Sequence, residues 1–262
     1  MDAEVLTEVV TGVGTIRLNR PTRLNALTRN LMLSLARALE GFAEDDAVRV
    51  VCLTGVGRAF SAGQDLEERD PRVHAHPFDL EALQIELFHP VIRLITSMDK
   101  PVVARVNGLA AGAGASLALA ADIVLAAQSA KFIQSFSKVG LSVDAGGGWQ
   151  LVRALGTARA RAVLMLGEAL GAEEAAAAGL IWRSVPDLNL DDELAALTTR
   201  LCSTPRSSLR SIKKAVIAAS DTAGSFESYL AIEAALQGEA GLDPNYAEGV
   251  LSFLEKRPPV YR

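Results

Sequence analysis

Two glycine-containing segments carry the residue types from which a reactive site could be built. The first glycine segment, residues 60–66, reads FSAGQDL, and the second glycine segment, residues 107–116, reads NGLAAGAGAS. Small residues let a ligand or another backbone approach closely, and a loop that opens a helix points free N–H groups outward. Two such donors facing each other would form an oxyanion hole, for a thioester enolate or a tetrahedral intermediate. For either segment alone, tight packing of strand against helix is the alternative interpretation.

Asp144 is the third feature that could take part in catalysis. It stands among apolar and glycine residues, just before a helix predicted to begin at Trp149. An aspartate in that place can cap the helix by accepting from its first N–H groups. It can also transfer protons, because burial would raise the pKa of its carboxyl while the helix dipole would lower it. Spacing alone leaves both roles open.

Other catalytic chemistries find little support in the sequence. Residues 59–63, AFSAG, lack the first glycine of a nucleophile elbow. His74, His76 and His89 have no second ligand cluster at the spacing of a metal site. The second glycine segment lacks the third glycine of a dinucleotide-binding fingerprint. We therefore predict neither a metal ion nor a separate cofactor.

Composition narrows the functional classes further. The 262 residues include 26 Lys and Arg against 31 Asp and Glu, a net charge of −5 that disfavours nucleic-acid binding. Two cysteines are too few for a disulfide framework and suit a reducing compartment, so we predict a cytoplasmic protein. Residues 1–4 form neither a basic nor an apolar region, so we expect no signal peptide. Its longest apolar stretch, residues 108–121, is shorter than the ~20 residues of a membrane helix, so we expect no membrane partner.

The sequence predicts alternating strands and helices, and these elements would position the candidate site residues. Strands buried on both faces are predicted at residues 49–54 and 101–106, where apolar and β-branched residues run almost without interruption. Thr28 is a predicted N-cap of a helix with apolar residues at helical spacing. A second amphipathic helix is predicted over residues 79–97. Each glycine segment then follows a predicted strand.

The pattern changes toward the end of the chain, where helices dominate. The sequence therefore predicts an α/β core over residues 1–195, which carries the site, and a helical oligomerisation region over residues 196–262. An amphipathic helix must bury its apolar face. We expect another subunit to cover the apolar face of this helical region.

The combination of motifs resembles the enoyl-CoA hydratase/isomerase (crotonase) superfamily over nearly the whole chain. The resemblance implies a spiral of ββα units, a C-terminal helical trimerisation region, and a homotrimer or a dimer of trimers. It also implies an acyl-CoA thioester substrate, so that coenzyme A belongs to the substrate and no cofactor is needed. The matching segments are residues 19–27, 57–66, 100–102, 107–114, 121–123, 179–180 and 253–258.

Carried over by position, the resemblance implies roles for particular residues. The backbone N–H groups of Gln64 and Ala113 would hold the thioester carbonyl oxygen. Lys256 would reach the coenzyme A of its own or a neighbouring subunit. The residues that would bind coenzyme A are Arg23, Ala26, Ala62, Gln64, Asp65, Leu66 and Lys256.

Two positions depart from the hydratases of this superfamily. Where those enzymes carry two glutamates, the chain has Ser116 and Phe136, neither of which can activate water or return a proton. The chain instead resembles the ring 1,2-epoxyphenylacetyl-CoA isomerases, which have a single aspartate before the glycines. The resemblance implies Asp144 as the catalytic acid and base. The segments that carry this second resemblance are residues 59–66, 112–119, 135–141 and 144–149.

An isomerase is therefore the leading functional prediction. The reaction would convert ring 1,2-epoxyphenylacetyl-CoA to oxepin-CoA, shift a 3-enoyl-CoA double bond to position 2, or do both. One alternative is a hydratase-like enzyme, or a hydrolase resembling 4-chlorobenzoyl-CoA dehalogenase with Asp144 as the nucleophile. Another is a non-catalytic acyl-CoA-binding subunit that holds an intermediate for a partner enzyme.

Overall fold

Ten strands in two sheets form the centre of the protein in the computed structural model, which describes residues 3–74, 77–221 and 224–261. The larger sheet has the order β1-β2-β3-β5-β7-β10 and the smaller sheet the order β4-β6-β8-β9. The strands are β1 (Val5–Val10), β2 (Val13–Leu18), β3 (Val50–Gly55), β4 (Ala59–Ser61), β5 (Val102–Val106), β6 (Leu109–Ala111), β7 (Ile123–Ala127), β8 (Lys131–Ile133), β9 (Ala169–Gly171) and β10 (Arg183–Val185).

Helices follow the strands and then take over the C-terminal part. A π-helical segment, Gln84–Phe88, joins the second and third helices, so the helix predicted over residues 79–97 is divided into three pieces. The helices are α1 (Arg29–Glu44), α2 (Leu80–Leu83), α3 (His89–Ser97), α4 (Ala113–Leu119), α5 (Gly147–Leu166), α6 (Ala172–Ala177), α7 (Leu190–Cys202), α8 (Arg206–Ala219), α9 (Phe226–Gly241) and α10 (Pro244–Glu255).

From β3 to β8, consecutive strands alternate between the two sheets. β3, β5 and β7 lie parallel in the larger sheet, while β4, β6 and β8 lie parallel in the smaller one. Each pair, β3 with β4, β5 with β6 and β7 with β8, is followed by helical structure. This is the repeated ββα arrangement that the resemblance to the crotonase superfamily implies. Because β4 and β6 run parallel, the loops that follow them leave the smaller sheet at the same edge.

Burial explains why these segments form strands and helices. All six residues of β3 are buried, as expected for a strand covered on both faces. Thr28 caps α1, with its Oγ1 accepting from Leu31 N at 3.0 Å, which confirms the predicted N-cap. From α1, Leu31, Leu35 and Leu39 are fully buried in the main core. Each such side chain stabilises the fold by roughly 1.5–3 kcal/mol.

The C-terminal helices α8–α10 differ from the core because they expose apolar side chains. Phe226, Leu242 and Phe253 are 72%, 87% and 82% exposed. The ion pair between Lys213 Nζ of α8 and Asp122 Oδ2, at 2.8 Å, ties this region to the core. Residue 195, the predicted end of the core, lies inside α7. Within the described residues, none of the helices has the length and apolar character required to cross a bilayer.

Candidate active site

The two glycine segments lie against each other at the start of α4. Gly63 adopts φ +91°, and a Cβ there would lie 2.7 Å from Ala111 O and 3.5 Å from Ala113 N. Glycine is favoured at this position, because the backbone conformation is left-handed and the space is already occupied. The sequence of the first glycine segment thus holds the Gly63–Gln64 backbone beside the first residue of α4.

The backbone N–H groups of Gln64 and Ala113 are free at this contact. The preceding N–H is engaged, since Gly63 N donates to Ser61 Oγ at 3.2 Å. In the part of the chain that the structure describes, neither Gln64 nor Ala113 donates its N–H to another protein group. Ala113 opens α4, where the first N–H groups lack intrahelical partners. The structure therefore brings together the two donors expected to form an oxyanion hole.

The Asp144 carboxylate lies next to the same loop. Gln64 Nε2 donates a short hydrogen bond to Asp144 Oδ2, and Gln84 Nε2 donates to the same oxygen at 3.3 Å. Asp144 Oδ1 is buried and has no partner among the described residues. α5 begins at Gly147, and no side chain caps it, so the helix-capping role for Asp144 is wrong. Its carboxylate faces the glycine segment instead.

The environment of Asp144 suits a group that exchanges protons near neutral pH. Burial raises the pKa of Asp144 to about 6. The hydrogen bond from Gln64, the positive charge of Arg69 and the hydrogen bond from Gln84 act in the opposite direction but do not cancel the effect of burial. A carboxyl with a pKa near the working pH can both take up and release a proton.

Ser116 and Phe136, both uncharged, lie beside Gly112 of the second glycine segment. Ser116 is fully buried in α4, and its hydroxyl donates to Gly112 O at 3.3 Å. The Phe136 ring lies 3.8 Å from the position that a Cβ on Gly112 would take. Neither residue supplies a carboxylate. Asp144 thus faces surroundings in which a charged group is poorly solvated.

Residues predicted to bind coenzyme A lie around the first glycine segment. Arg23 is exposed, pairs with Glu67 at 2.7 Å, and borders a surface cleft of about 650 Å³. Leu66, which precedes Glu67 in the sequence, is 54% exposed. Lys256 lies at the end of α10, and no described hydrogen bond or ion pair joins it to the others.

The remaining residues of the predicted coenzyme A set support the loop from within. Asp65 is buried, and its carboxylate pairs with Arg20 NH1 at 2.7 Å and accepts from Glu67 N at 3.0 Å. Arg20 NH1 also donates to Ala26 O at 2.7 Å, and Ala62 N donates to a backbone oxygen at 2.8 Å. The Asp65 backbone N–H is engaged as well as its side chain, since it donates to Leu27 O at 3.1 Å.

Two residues at the site were not predicted from the sequence. Gln84 comes from the π-helical segment, and Arg69 ends a short 3-10 helix, Leu66–Arg69. No motif marks either residue, since a glutamine in an amphipathic helix and an arginine in a polar loop are ordinary. Among the described residues, no three His, Cys, Asp or Glu side chains come together as metal ligands would. His76, considered above as a ligand, lies outside the described residues.

The fold is shared with solved structures. A crystal structure of an enoyl-CoA hydratase from Polaromonas sp. JS666 superposes with a TM-score of 0.92, at 34% identity, covering 98% of this chain and 99% of the other. The predicted crotonase fold is thereby confirmed. The protein is thus a crotonase-type enzyme that processes acyl-CoA, and the two free N–H groups and the largely buried carboxylate lie at the same loop of this fold.

Sequence comparison gives the family. The enoyl-CoA hydratase/isomerase family model matches residues 8–262. A probable enoyl-CoA hydratase of Rhodobacter capsulatus is 45% identical over 97% of this chain and 96% of the relative. The 1,2-epoxyphenylacetyl-CoA isomerase of Escherichia coli K12 is 42% identical over 98% and 97%, respectively. The chain belongs to the enoyl-CoA hydratase/isomerase family, as the sequence motifs indicated.

Proposed function

We propose that the protein is an acyl-CoA isomerase in which Asp144 is the acid and base. The observation that carries the proposal is the buried Asp144 carboxylate, held by the side chain of Gln64 beside the free N–H groups of Gln64 and Ala113. The substrate is a 3-enoyl-CoA, a ring 1,2-epoxyphenylacetyl-CoA, or both. The 42% identity with the isomerase from E. coli supports this assignment.

The double-bond shift follows from this geometry. The N–H groups of Gln64 and Ala113 donate to the thioester oxygen and stabilise the enolate, at roughly 3 kcal/mol for each donor. Asp144 Oδ1 takes a proton from C2, and the electrons of the broken C–H bond enter the enolate. The enolate then takes the proton back at C4, which leaves the double bond at position 2. One carboxyl suffices and no water is consumed.

For the epoxide, the same groups would act on a different bond. Polarisation of the thioester and proton movement near C2, through Asp144, assist the reorganisation of the C–O bonds that yields the oxepin. Phe136 supports this reading, because an apolar wall suits an aromatic acyl group and keeps water away. No carboxylate other than Asp144 is invoked.

Assembly and binding belong to the same proposal. A homotrimer or dimer of trimers would cover the exposed apolar side chains of α8–α10 and bring Lys256 toward a coenzyme A. Arg23, Ala26, Ala62, Asp65 and Leu66 would line the rest of that binding site. The protein would act in the cytoplasm, without a separate cofactor or metal ion, a nucleic acid or a membrane.

Replacement of Asp144 tests the acid–base role. Asp144→Asn should keep acyl-CoA binding and lower the rate of 3-hexenoyl-CoA isomerisation by roughly 10²–10⁴-fold, since the proton carrier is lost. The matched control is Asp192→Asn, on an exposed residue in the first turn of α7, which should isomerise normally. Retained turnover by Asp144→Asn would contradict the proposal.

A hydratase is the second candidate, because the relative from R. capsulatus bears that description. Ser116 and Phe136 oppose it, since neither can activate water. A substrate panel separates the two activities: 3-enoyl-CoA isomerisation, 2-enoyl-CoA hydration and epoxyphenylacetyl-CoA conversion, measured side by side. Faster hydration than isomerisation would favour the hydratase. Acyl-CoA binding with no turnover on any of the three would favour a non-catalytic subunit.

Nucleophilic catalysis by Asp144 requires a different measurement. A covalent intermediate hydrolysed by labelled water would leave ¹⁸O in the carboxylate after a single turnover. Mass spectrometry of the peptide that contains Asp144 would detect the label. Proton transfer leaves the carboxylate unlabelled, and that is the expected result.

A further inference from the structure

Both hydrogen bonds to the Asp144 carboxylate end on one of its two oxygens. Gln64 Nε2 and Gln84 Nε2 donate to Oδ2, whereas Oδ1 is buried and has no partner among the described residues. The amide oxygens of both glutamines are also buried without described partners. An amide oxygen turned toward the carboxylate would be repelled by it, so the charge of Asp144 fixes the orientation of both amides.

The two glutamines come from separate segments, each held by the core. Gln64 follows Gly63, which is closely packed against the backbone before α4. Gln84 begins the π-helical segment, whose Leu87 and Phe88 are only 4% and 2% exposed. π-Helical turns often occur where a functional side chain must be placed. The Asp144 side chain is thus held from two directions that have independent support.

We propose that the side chains of Gln64 and Gln84 are positioning residues, which hold Oδ2 of Asp144 so that Oδ1 alone exchanges the proton with the substrate. This inference rests on the proposed isomerase function, in which Asp144 is the acid and base. Gln64 would then contribute its backbone N–H to the enolate oxygen and its side chain to the base.

The arrangement works in both protonation states of the carboxyl. When Oδ1 takes up a proton from C2, Oδ2 becomes the carbonyl oxygen of a carboxylic acid and still accepts from both amides. Neither hydrogen bond has to break during the proton transfer, and a preorganised site of this kind avoids the cost of rearrangement. The charged groups that face Asp144 are Arg69 and, behind it, Glu68, and both lie on the 3-10 helix after the first glycine segment.

Replacing each amide by an apolar side chain of similar size tests the inference. Gln84→Leu and Gln64→Leu remove one donor each, and Gln64→Leu keeps the backbone N–H. We expect the kcat for 3-hexenoyl-CoA to fall by roughly tenfold to a hundredfold, because a misplaced base reacts slowly, with KM changed less than about twofold. The control is Gln128→Leu, the same change at an exposed glutamine far along the chain.

Infrared titration of the carboxyl provides a readout that does not depend on turnover. The C=O band of protonated Asp144, isolated by subtracting the spectrum of Asp144→Asn, should titrate near pH 6 in the unaltered protein. Its midpoint should move to higher pH in Gln84→Leu and Gln64→Leu, since a hydrogen bond to the charged form is lost. Gln128→Leu should leave the midpoint in place.

The outcomes separate this inference from the proposed function. An unmoved midpoint and unchanged kcat in folded Gln84→Leu and Gln64→Leu overturn the inference, even if Asp144→Asn is inactive. A raised KM with an unmoved midpoint also overturns it, because it shows a structural or substrate-binding role. A moved midpoint together with an active Asp144→Asn would reject the isomerase mechanism while leaving the hydrogen-bonded arrangement intact.

Discussion

The site around Asp144 and the C-terminal helices α8–α10 are both incomplete in a single chain, but in opposite ways. The site buries polar atoms that have no described partner, among them Asp144 Oδ1 and Gln64 Oε1. The helices expose apolar side chains, such as Leu242 at 87% and Phe253 at 82%. Unpaired buried polar atoms cost free energy, and so does exposed apolar surface.

The difference indicates what each region binds. Polar atoms that converge in a dry place are complementary to a small polar group, such as a thioester with its reacting carbon. An extended apolar surface is complementary to another protein surface. Under the proposed function, the core would carry the chemistry and the C-terminal helices would carry the assembly. Each can be perturbed separately, and the following changes are expected to do so.

Filling the space at Gly63 should strongly reduce turnover, and its effect should be confined to the site. Gly63→Val places a branched side chain at φ +91° and against Ala111 O, which displaces the donor of Gln64. Loss of one oxyanion donor lowers kcat by roughly 10²–10³-fold. Gly179→Ala is the control, because Gly179 has φ +76° but open space around it. Steady-state kinetics should show the loss only in Gly63→Val; an equal loss in both variants would contradict the steric argument.

Neutralising Asp144 should stabilise the protein while inactivating it. The carboxyl has an ordinary pKa of 3.8 and a pKa of about 6 in the fold, so the ionised form destabilises the folded state above pH 6. This cost fades as the pH falls through 6 and is absent below 3.8. At pH 8, Asp144→Asn should therefore gain about 2–3 kcal/mol in the free energy of unfolding.

Urea unfolding at fixed protein concentration, at pH 8 and at pH 4, measures this difference. The gain should nearly vanish at pH 4, where the folded carboxyl is already neutral. Asp192→Asn, at an exposed position, should show no comparable gain at either pH. A gain of equal size at both pH values would show that burial of the charge is not its cause.

Replacing an apolar residue of the C-terminal helices by a polar one should have a smaller effect, and it should affect assembly alone. Phe253→Ser removes an apolar side chain that another subunit would cover, which weakens each interface by roughly 2 kcal/mol. Light scattering over a dilution series should show dissociation toward the 27.7 kDa chain at higher concentrations than in the unaltered protein. The control is Leu188→Ser, because Leu188 is 95% exposed and lies in the α/β region, outside the C-terminal helices. Identical dilution curves for all three would place the interface elsewhere.

Much of the fold could be predicted because burial leaves a clear pattern in the sequence. The strand predicted at residues 49–54 is β3, and the strand predicted at residues 101–106 is β5, both within a residue at each end. The π-helical segment was not predictable, because its residues have the same apolar spacing as an ordinary helix. Thr28 was predictable, since its role as a cap depends only on residues three positions away.

Only those features of the site that depend on residues close together in the sequence could be predicted. Glycine and small residues indicated where backbone N–H groups would be exposed, and Asp144 was conspicuous among apolar neighbours. The contacts of Asp144 with Gln64 and Gln84 join residues 80 and 60 positions apart. Such pairings depend on how the ββα units stack, and a glutamine in a helix carries no mark of a distant partner. Spacing alone therefore left the helix-capping role of Asp144 open.

In the proposed site, Gln64 would have two roles: its backbone N–H would bind the enolate oxygen, and its side chain would hold the base. A shift of the segment that contains Gln64 would move the N–H donor and the Asp144 carboxylate together, and the distance between them would be preserved. Selection for a new acyl group would then act with least harm on the walls, such as Phe136, and leave the shared residue untouched. The double role of Gln64 would therefore favour the evolution of new substrate ranges while the reaction stays the same.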